Sequence, residues 1–431
     1  MRISVHTLVF WPHLIAGLLA GLIIAVMSFT GIALAFEHEI LDWADQEARR
    51  VEVPSPGAPR LPIDELLARV RAARPGAQPS AVTEYPEPTL AVTVNTGRTG
   101  GVYVNPYTGE VRDWGATGWR SFFNLMEDWH RWLGAQGDNR PIGKAITGAS
   151  NAIFLALAVT GLYLWWPRKW TWRTVRPSLW FRRGLKGKAR DWNWHNVIGF
   201  WLLPALIVMT ATGMVISYKS VSDLVFKLAG ETPPTTGGPP PGPPVQVPTP
   251  PPGSTPVPLE ALFAQARQQV PAWENITLRL GGGGPPRGNA PARGPGAGPG
   301  GGPRPGGNEG PGEARKPAAP SALTLAVREP GTWPPFAATQ VALDPYTAQV
   351  LRQDAFSDLS AGNRARRWMR FLHTGEALGL IGQFIAAVGC LGGLFLVWTG
   401  FTLSWRRFFP GKRAATAAED TASPERVEPT V

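Results

Sequence analysis

The 431-residue sequence has a single cysteine, Cys390, and it lies in an apolar segment. One cysteine excludes a disulfide within the chain, a thiolate metal cluster and covalent attachment of a cofactor through a C-x-x-C-H motif. Other signatures are missing as well: no G-x-G-x-x-G follows a predicted strand, and there is no P-loop and no G-x-S-x-G. The sequence therefore does not indicate a nicotinamide or flavin site, a nucleotide-hydrolysing site or a serine hydrolase.

Acidic residues are fewer than basic ones, 31 Asp and Glu against 42 Lys and Arg, which gives a formal charge of +11. A basic chain can indicate nucleic-acid binding when the charge covers one face of a soluble domain. Here the basic residues flank long apolar segments instead. We predict a lipid bilayer as the partner and no nucleic acid.

Four apolar segments are long enough to cross a hydrocarbon core of about 30 Å, which takes about 20 helical residues. They lie near 12–36, 142–166, 195–217 and 377–404. The first continues a long apolar run from Phe10 without a cleavage site, so it predicts a retained anchor and not a secretory signal peptide. The sequence predicts an α-helical integral membrane protein with four transmembrane helices.

The loop between the second and third segments predicts the orientation. Residues 167–192 contain nine Lys and Arg and one acidic residue, Asp191. By the positive-inside rule this loop is cytoplasmic. Four crossings then place both termini in the cytoplasm of a bacterium, in its inner membrane, and the two long connections in the periplasm.

Each long connection begins with a helical pattern, at 61–73 and 257–270, followed by alternating runs typical of strands. These runs are 90–94 and 101–111 in the first connection, and 322–327 and 339–350 in the second. We predict two small periplasmic α+β domains. The Pro/Gly-rich tracts 232–256 and 281–320 have few large apolar side chains, and we predict that they are disordered insertions.

Comparison of the chain with itself reveals a repeat. His13 and His195 are each followed four residues later by Gly. Seventeen residues after each histidine comes the Thr of a Thr-Gly pair, Thr30-Gly31 and Thr212-Gly213. The second and fourth apolar segments also share a Thr-Gly pair, and an aromatic, charged segment with a histidine precedes each. These patterns predict a parallel duplication about an axis along the membrane normal. The predicted divisions of the chain are the first transmembrane helix (1–36), the first periplasmic domain (37–120), a pre-helix with the second transmembrane helix (121–166), the basic cytoplasmic loop (167–192), the third transmembrane helix (193–217), the second periplasmic domain with the two insertions (218–362), a pre-helix with the fourth transmembrane helix (363–405) and the cytoplasmic tail (406–431).

The repeat pairs four of the six histidines. His13 faces His195 near the cytoplasmic side, and His130 faces His373 near the periplasmic side. A zinc or copper site recruits three or four ligands, whereas two opposed imidazoles suit the axial positions of a haem iron. We predict two b-type haems held non-covalently, the inner by His13 and His195 and the outer by His130 and His373.

Other residues near these histidines have secondary roles in this interpretation. Gly17, Gly134 and Gly199, each four residues after a histidine, leave room for a flat macrocycle if the helix continues. His38 is predicted to be a surface residue, and His6 has no partner. Arginines can pair with haem propionates; the candidates are Arg131, Arg140, Arg190, Arg366, Arg367 and Arg370. Acidic residues can orient a haem ligand by a hydrogen bond; the candidates are Glu127, Asp128 and Glu376.

These motifs together resemble the PepSY-associated transmembrane family. The residues that carry the resemblance are the H-x-x-x-G helices with their Thr-Gly pairs, WHRWLG and LHTGEALG, and NPYTGEV with DPYTAQV. Members with this arrangement include di-haem reductases of ferric siderophores. The resemblance implies an oxidoreductase that takes electrons from quinol or a cytoplasmic reductase, reduces a ferric siderophore in the periplasm and releases Fe(II).

Three alternatives remain open on the residues alone. The haems can supply electrons to a periplasmic partner protein instead of iron. The chain can also be a haem-free scaffold whose PepSY-like domains regulate a peptidase. A transporter of iron or of a ferric siderophore would need polar residues near the bilayer midplane, where we expect only Thr, Ser and Cys390.

Overall fold

The computed structural model describes residues 4–96, 100–167, 169–234, 245–251, 253–280 and 321–409. The predicted insertion 281–320 lies outside the described residues, as do parts of 232–256 and of the tail 406–431. The chain forms two compact units. We call Met1–Glu37, Phe122–Ser222 and Met369–Val431 the bundle unit, and His38–Ser121 with Asp223–Trp368 the sheet unit.

Twelve helices occur in the described part of the chain. Their bounds are α1 Val5–Leu34, α2 Glu37–Ala44, α3 Gln46–Arg49, α4 Ile63–Ala73, α5 Thr117–Trp132, α6 Arg140–Trp165, α7 Trp172–Leu179, α8 Gly187–Ser217, α9 Lys219–Leu228, α10 Leu259–Gln269, α11 Ala361–Thr374 and α12 Gly379–Phe408.

The bundle unit is built on α1, α6, α8 and α12, which are long and apolar enough to cross a membrane. They form a ring in which α1 packs on α6, α6 on α8, α8 on α12, and α12 on α1. This confirms the four predicted spans. With little water in a bilayer core, each backbone polar group must be paired within its own helix, which long uninterrupted helices achieve.

Helix α8 begins eight residues before the predicted span, because its polar first turns are paired within the protein. The Asn193 amide donates to the carbonyls of Pro177 at 2.6 Å and Trp180 at 3.0 Å. The Asp191 carboxylate, fully buried, accepts from Arg190 at 2.7 Å and Arg406 at 3.1 Å. These contacts hold α7 and the end of α12 against the start of α8.

The sheet unit contains one antiparallel sheet of eight strands in the order β4-β3-β2-β1-β5-β6-β7-β8. The strands are β1 Pro79–Glu84, β2 Val92–Thr96, β3 Gly100–Val104, β4 Val111–Asp113, β5 Asn275–Arg279, β6 Leu323–Arg328, β7 Thr339–Leu343 and β8 Val350–Asp354. Each of the two long connections therefore supplies four strands of the sheet.

The expectation of two separate small domains is corrected by the pairing of β1 with β5. Val82 lies opposite Leu278, and Thr83 opposite Thr277 with their hydroxyls 2.9 Å apart. Both connections thus contribute to one sheet and one core, in which Val82 and Leu278 are fully buried. An unpaired edge strand exposes backbone donors and acceptors, and this pairing removes two such edges.

Helices α4 and α10 also join the two connections, because each supplies a carboxylate to the first turn of the other. Asp64 accepts from the backbone N–H groups of Leu259 at 2.9 Å and Glu260 at 3.0 Å. Glu260 in turn accepts from the N–H of Ile63 at 3.0 Å. Such contacts satisfy N–H groups that have no partner inside a helix.

Candidate functional site

The structure brings His130 and His373 together in the bundle unit. His130 lies two residues before the end of α5, and His373 one residue before the end of α11. Their ring centres are 6.3 Å apart and the ring planes are inclined by 60°. Two imidazoles on opposite sides of one metal ion have a defined separation, so this distance can be compared with that of a ligand pair.

A metal–imidazole bond is about 2.0–2.1 Å long. The centre of a five-membered ring with bonds of about 1.35 Å lies about 1.2 Å from each ring nitrogen. Two such ligands in line through one metal therefore have ring centres about 6.4 Å apart. The observed 6.3 Å fits one iron between His130 and His373.

Hydrogen bonds at the outer pair define which nitrogen of each ring carries the proton. His130 Nδ1 lies 3.0 Å from the Met27 carbonyl, and His373 Nδ1 lies 2.9 Å from the Met209 carbonyl. A carbonyl oxygen only accepts, so both Nδ1 atoms are donors. In a neutral ring Nε2 then keeps its lone pair, which is the form that binds a metal.

A threonine contacts the same nitrogen in each ring. Thr30 Oγ1 lies 3.0 Å from His130 Nδ1, and Thr212 Oγ1 lies 3.3 Å from His373 Nδ1. Each hydroxyl donates to a carbonyl of its own helix, Thr30 to Val26 at 2.8 Å and Thr212 to the carbonyl four residues earlier at 2.6 Å. The threonines therefore accept from the imidazoles.

The inner histidines make the same contact. His13 Nδ1 lies 2.8 Å from Thr160 Oγ1, and His195 Nδ1 lies 2.8 Å from Thr399 Oγ1. All four imidazoles thus share one arrangement, in which Nδ1 is held by a helix and Nε2 remains for a ligand.

The glycine of each Thr-Gly pair faces the Cε1 atom of the same ring. A β-carbon would lie 3.5 Å from Cε1 of His13 if added at Gly161, and 3.8 Å from Cε1 of His195 if added at Gly400. The corresponding distances for His130 at Gly31 and His373 at Gly213 are 3.6 and 3.2 Å. The Thr-Gly pairs, which the sequence marked only as repeat signatures, are therefore the contact surfaces of the four histidines.

The two imidazole pairs lie at different depths in the bundle. Along α1, 17 residues separate His13 from Thr30, the partner of His130. A rise of 1.5 Å per residue makes this about 25 Å. The same number of residues separates His195 from Thr212 on α8. Two haem-sized groups at these levels would lie toward opposite sides of a bilayer.

The ends of α5 and α11 are positioned by close contacts with the following long helices. A β-carbon at Gly143 would overlap the carbonyl oxygen of Trp132, and one at Gly382 would overlap the carbonyl oxygen of Gly375. Only glycine permits this approach. Trp132 and Gly375 each lie two residues after a site histidine, so these contacts place His130 and His373.

One expectation about glycines is wrong. Gly134 does not continue the helix of His130, because Leu133 and Gly134 have φ angles of 53° and 73° and α5 ends at Trp132. Gly134 therefore ends a helix and does not make room one turn along it. Gly17 and Gly199 do lie within helices, where a β-carbon would approach Leu157 and Leu396 at 4.0 and 3.6 Å.

Arg131 and Arg140 lie beside the outer pair, each with its guanidinium carbon 4.4 Å from the ring centre of Trp132. Arg131 pairs with Glu127, and Arg140 lies 3.6 Å from Asp128. The Nε atom of Arg140 is buried and has no hydrogen-bond partner among the described residues. This donor suits an anionic group, such as a haem propionate, bound beside His130.

The remaining predicted arginines have other surroundings. Arg190 pairs with buried Asp191 and lies 5.5 Å from the rings of Trp194 and Trp398, so its charge is already compensated. Arg370 lies over the ring of Phe371. Arg366 and Arg367 belong to the sheet unit.

Three further candidates are placed as follows. Glu376 does not extend the helix of His373, since Gly375 is in the left-handed region at φ 83° and Glu376 starts a short 3₁₀ helix. Glu376 therefore does not lie one helical turn along α11 from His373. His38 and His6 are both exposed.

The expectation that the helix centres carry only Thr, Ser and Cys390 missed Asn151, and a second buried amide, Gln383, lies near the start of α12. Asn151 in α6 is buried and donates to the Thr210 carbonyl of α8 at 2.9 Å. Gln383 in α12 is also buried. Each was visible in the sequence as a polar residue inside an apolar run. The Asn151 hydrogen bond joins two long helices beside Gly213, which faces His373.

Within the described residues, no three side chains of His, Cys, Asp and Glu group closely enough to hold a metal ion. The available donors are pairs of neutral imidazoles, which suit axial coordination of an iron whose other ligands belong to a macrocycle. The ring separation of the outer pair, the Nδ1–H tautomer of both rings and the unpaired Nε of Arg140 are compatible with a b-type haem.

No curated protein matches the sequence. The profile of the PepSY-associated TM region matches residues 10–407, which include nearly all of the four long helices, all four site histidines and the sheet unit. The chain therefore belongs to the family of proteins with a PepSY-associated transmembrane region.

Proposed function

We propose that the protein is a membrane electron carrier with two b-type haems, held by His13 with His195 and by His130 with His373. The observation that carries the proposal is the geometry of the outer pair. Its ring centres lie 6.3 Å apart, as expected for two ligands of one iron, and both Nδ1 protons are committed to backbone carbonyls.

The protein's own residues orient the ligands. Thr30, Thr160, Thr212 and Thr399 accept from Nδ1 and fix the rings, as partners of metal-binding histidines commonly do. Each bound haem supplies a reversible one-electron Fe(III)/Fe(II) couple. The donor set requires no thiolate, in keeping with a single cysteine.

The distribution of charge supports an orientation of the protein in the membrane. The basic loop 167–192 supports a cytoplasmic location for the end of the bundle that carries His13 and His195. Helix α1 ends at Leu34, four residues after Thr30, the partner of His130. The chain then continues into the sheet unit at His38. We propose that electrons from quinol or a cytoplasmic reductase cross the inner membrane toward the periplasm.

We further propose a ferric siderophore as the acceptor, on the strength of the family resemblance. Siderophores bind Fe(III) far more tightly than Fe(II), so the addition of one electron releases the metal without breaking a covalent bond. The two levels of imidazoles, about 25 Å apart along the helices, support a relay across the membrane in preference to a single-site enzyme.

The first test is the visible spectrum of the purified protein and a pyridine haemochrome count. We expect two b-type haems in the parent and one in each of His13→Ala, His195→Ala, His130→Ala and His373→Ala. The exposed His38→Ala variant is the matched control and should retain both. A parent without Soret absorbance would favour the haem-free scaffold, and an unchanged count in a variant would remove that histidine from the ligand set.

The second test concerns the acceptor. The dithionite-reduced protein is mixed with ferric siderophores in a stopped-flow instrument, and reoxidation of the haems is followed in the visible region. We expect single-exponential reoxidation that depends on siderophore concentration. If siderophores never reoxidise the protein but a periplasmic oxidoreductase does, the carrier assignment stands and the siderophore assignment fails.

A further inference from the structure

A cavity of about 450 Å³ opens on the sheet unit, entirely within the segment 329–368. Its walls include the aromatic side chains of Trp333, Phe356 and Trp368, and its polar lining includes Arg364, Glu329 and Thr332. This volume lies within the range of about 300–1,000 Å³ that is usual for small-molecule sites. Aromatic walls with a few polar groups are the usual composition of such sites.

The aromatic side chains form a connected wall. The Trp368 ring lies 5.8 Å from that of Trp333 and 5.3 Å from that of Phe336, which is 5.6 Å from Phe356. Trp333 is nevertheless 62% exposed. A tryptophan held by a neighbouring ring, with most of its surface accessible beside a cavity, can stack on the flat part of a ligand.

The lining of the cavity contains one cation, Arg364, and this side chain can pair with an anion. Arg364 donates to the Ser357 carbonyl at 3.3 Å, which uses one of the five N–H groups of its guanidinium. Helix α11, which carries Arg364, has four arginines and no acidic residue. The one acid of the lining, Glu329, accepts from the Thr339 hydroxyl at 3.0 Å.

The same helix connects this cavity with a site histidine. Trp368 in the cavity wall and His373 are both in α11, five residues apart. Five residues correspond to about 7.5 Å along a helix axis. A ligand held against Trp368 is therefore bound to the element that carries one of the outer imidazoles.

We propose that this cavity binds the electron acceptor, and that the acceptor is an anionic ferric chelate with flat ligand arms of the catecholate type. Trp333 and Trp368 stack on the arms, and Arg364 pairs with the negative charge. This inference rests on the proposed function. In the reaction the chelate gains one electron from the relay, its Fe(III) becomes Fe(II), and the relay is oxidised by one electron.

Binding is tested without electron transfer by using the redox-inert gallium(III) tris-catecholate with the full-length protein and isothermal titration calorimetry. We expect Trp333→Ala and Arg364→Gln each to raise the dissociation constant at least about tenfold. Glu329→Gln should lower it, because that change removes a negative charge from the lining. The exposed residues Trp43 and Arg71, outside the cavity, provide the controls Trp43→Ala and Arg71→Gln, which should bind as the parent does.

Two results would overturn this assignment: a parent that does not bind the gallium complex, or cavity variants that bind it as the parent does. A cationic gallium trihydroxamate that binds more tightly than the catecholate would overturn the assigned charge. Reoxidation of the reduced protein separates this inference from the proposed function. If iron chelates oxidise the parent and both cavity variants equally, the carrier function stands and the cavity assignment fails. If the gallium complex binds to the cavity but the protein contains no haem, the cavity stands as a chelate-binding site and the carrier function fails.

Discussion

Thr399 accepts a hydrogen bond from His195 Nδ1 at 2.8 Å and donates its own proton to the Phe395 carbonyl at 2.6 Å. Because the hydroxyl has one proton, the donation inside the helix defines the direction of the bond to the ring. Thr160 makes the same pair of contacts with His13 and the Ala156 carbonyl. The helix backbone thereby determines the tautomer of each inner histidine.

We expect Thr399→Val to weaken the inner haem. Valine keeps the shape of threonine but cannot accept from Nδ1, and loss of such a partner typically lowers metal affinity about 10- to 100-fold. Haem loss is measured as the rate of transfer to a haem-scavenging globin. Thr399→Ser should restore slow loss, since serine supplies the same oxygen. A valine variant that loses haem at the parent rate would show that the hydroxyl has no positioning role.

The sequence contained part of this site. Four histidines and four Thr-Gly pairs were visible, and their equal spacing predicted two levels. The contacts between the histidines and the threonines could not be predicted from the sequence, because Thr30 and His130 are 100 residues apart and His195 and Thr399 are 204 residues apart. Helical periodicity defines which residues share a face of one helix and does not define the partner helix.

We expect Gly143→Ala to disturb the outer haem and leave the inner one in place. The added methyl group would overlap the Trp132 carbonyl and displace the end of α5, which carries His130. The haemochrome count should fall toward one per protein. Gly118→Ala is the matched control, because nothing lies within 4 Å of the added carbon in that variant. Retention of two haems by Gly143→Ala would show that α5 tolerates the displacement.

The strands of the sheet could be predicted from the sequence only in part. Six of its strands lie in or beside the alternating runs that the sequence indicated, whereas β1 and β5 were missed. Both missed strands are short and rich in polar residues, PSAVTE and NITLR. They are the two strands that join the connections, so the error in domain number follows from their omission. Each of these two strands is buried partly by residues of the other long connection, so its own sequence does not show the alternating apolar pattern of a strand.

Asp45 supports the sheet unit, and we expect Asp45→Asn to lower its stability by about 3–5 kcal/mol, as for other buried ion pairs that lose one partner. The carboxylate is 1% exposed and accepts from Tyr103 Oη at 2.8 Å, from the Ala116 N–H and from Arg120. Thermal unfolding followed by circular dichroism measures the change. Asp42→Asn, with a side chain 72% exposed, should cost less than about 1 kcal/mol.

The same residue predicts a dependence on pH. Burial alone would raise the pKa of Asp45, but the hydrogen bonds from Arg120, Tyr103 and Ala116 outweigh it and hold the pKa below its usual value. The stabilisation is therefore complete above the ordinary Asp pKa of about 3.9 and is lost as the pH falls through the lowered value. Below about pH 4 the melting temperature should fall more steeply in the parent than in Asp45→Asn. Equal slopes would contradict the assignment.

Orientation in the membrane can be measured with introduced cysteines. Cys390 is the only cysteine and is buried, so Cys390→Ala provides a background without a natural thiol. In that background we expect Arg183→Cys, in the basic loop, to react only after the inner membrane is opened. Arg71→Cys, in the sheet unit, should react with a membrane-impermeant maleimide in spheroplasts. The opposite pattern would reverse the proposed direction of electron transfer.

The pairing of β1 with β5 has a consequence for assembly. One part of the chain, up to the loop after α7, contributes α1, α6 and strands β1 to β4; the remainder contributes α8, α12 and strands β5 to β8. These parts meet through helix packing in one unit and through backbone hydrogen bonds in the other. A polypeptide divided near Gly184 should therefore reconstitute from two co-expressed fragments, each carrying one ligand of each haem.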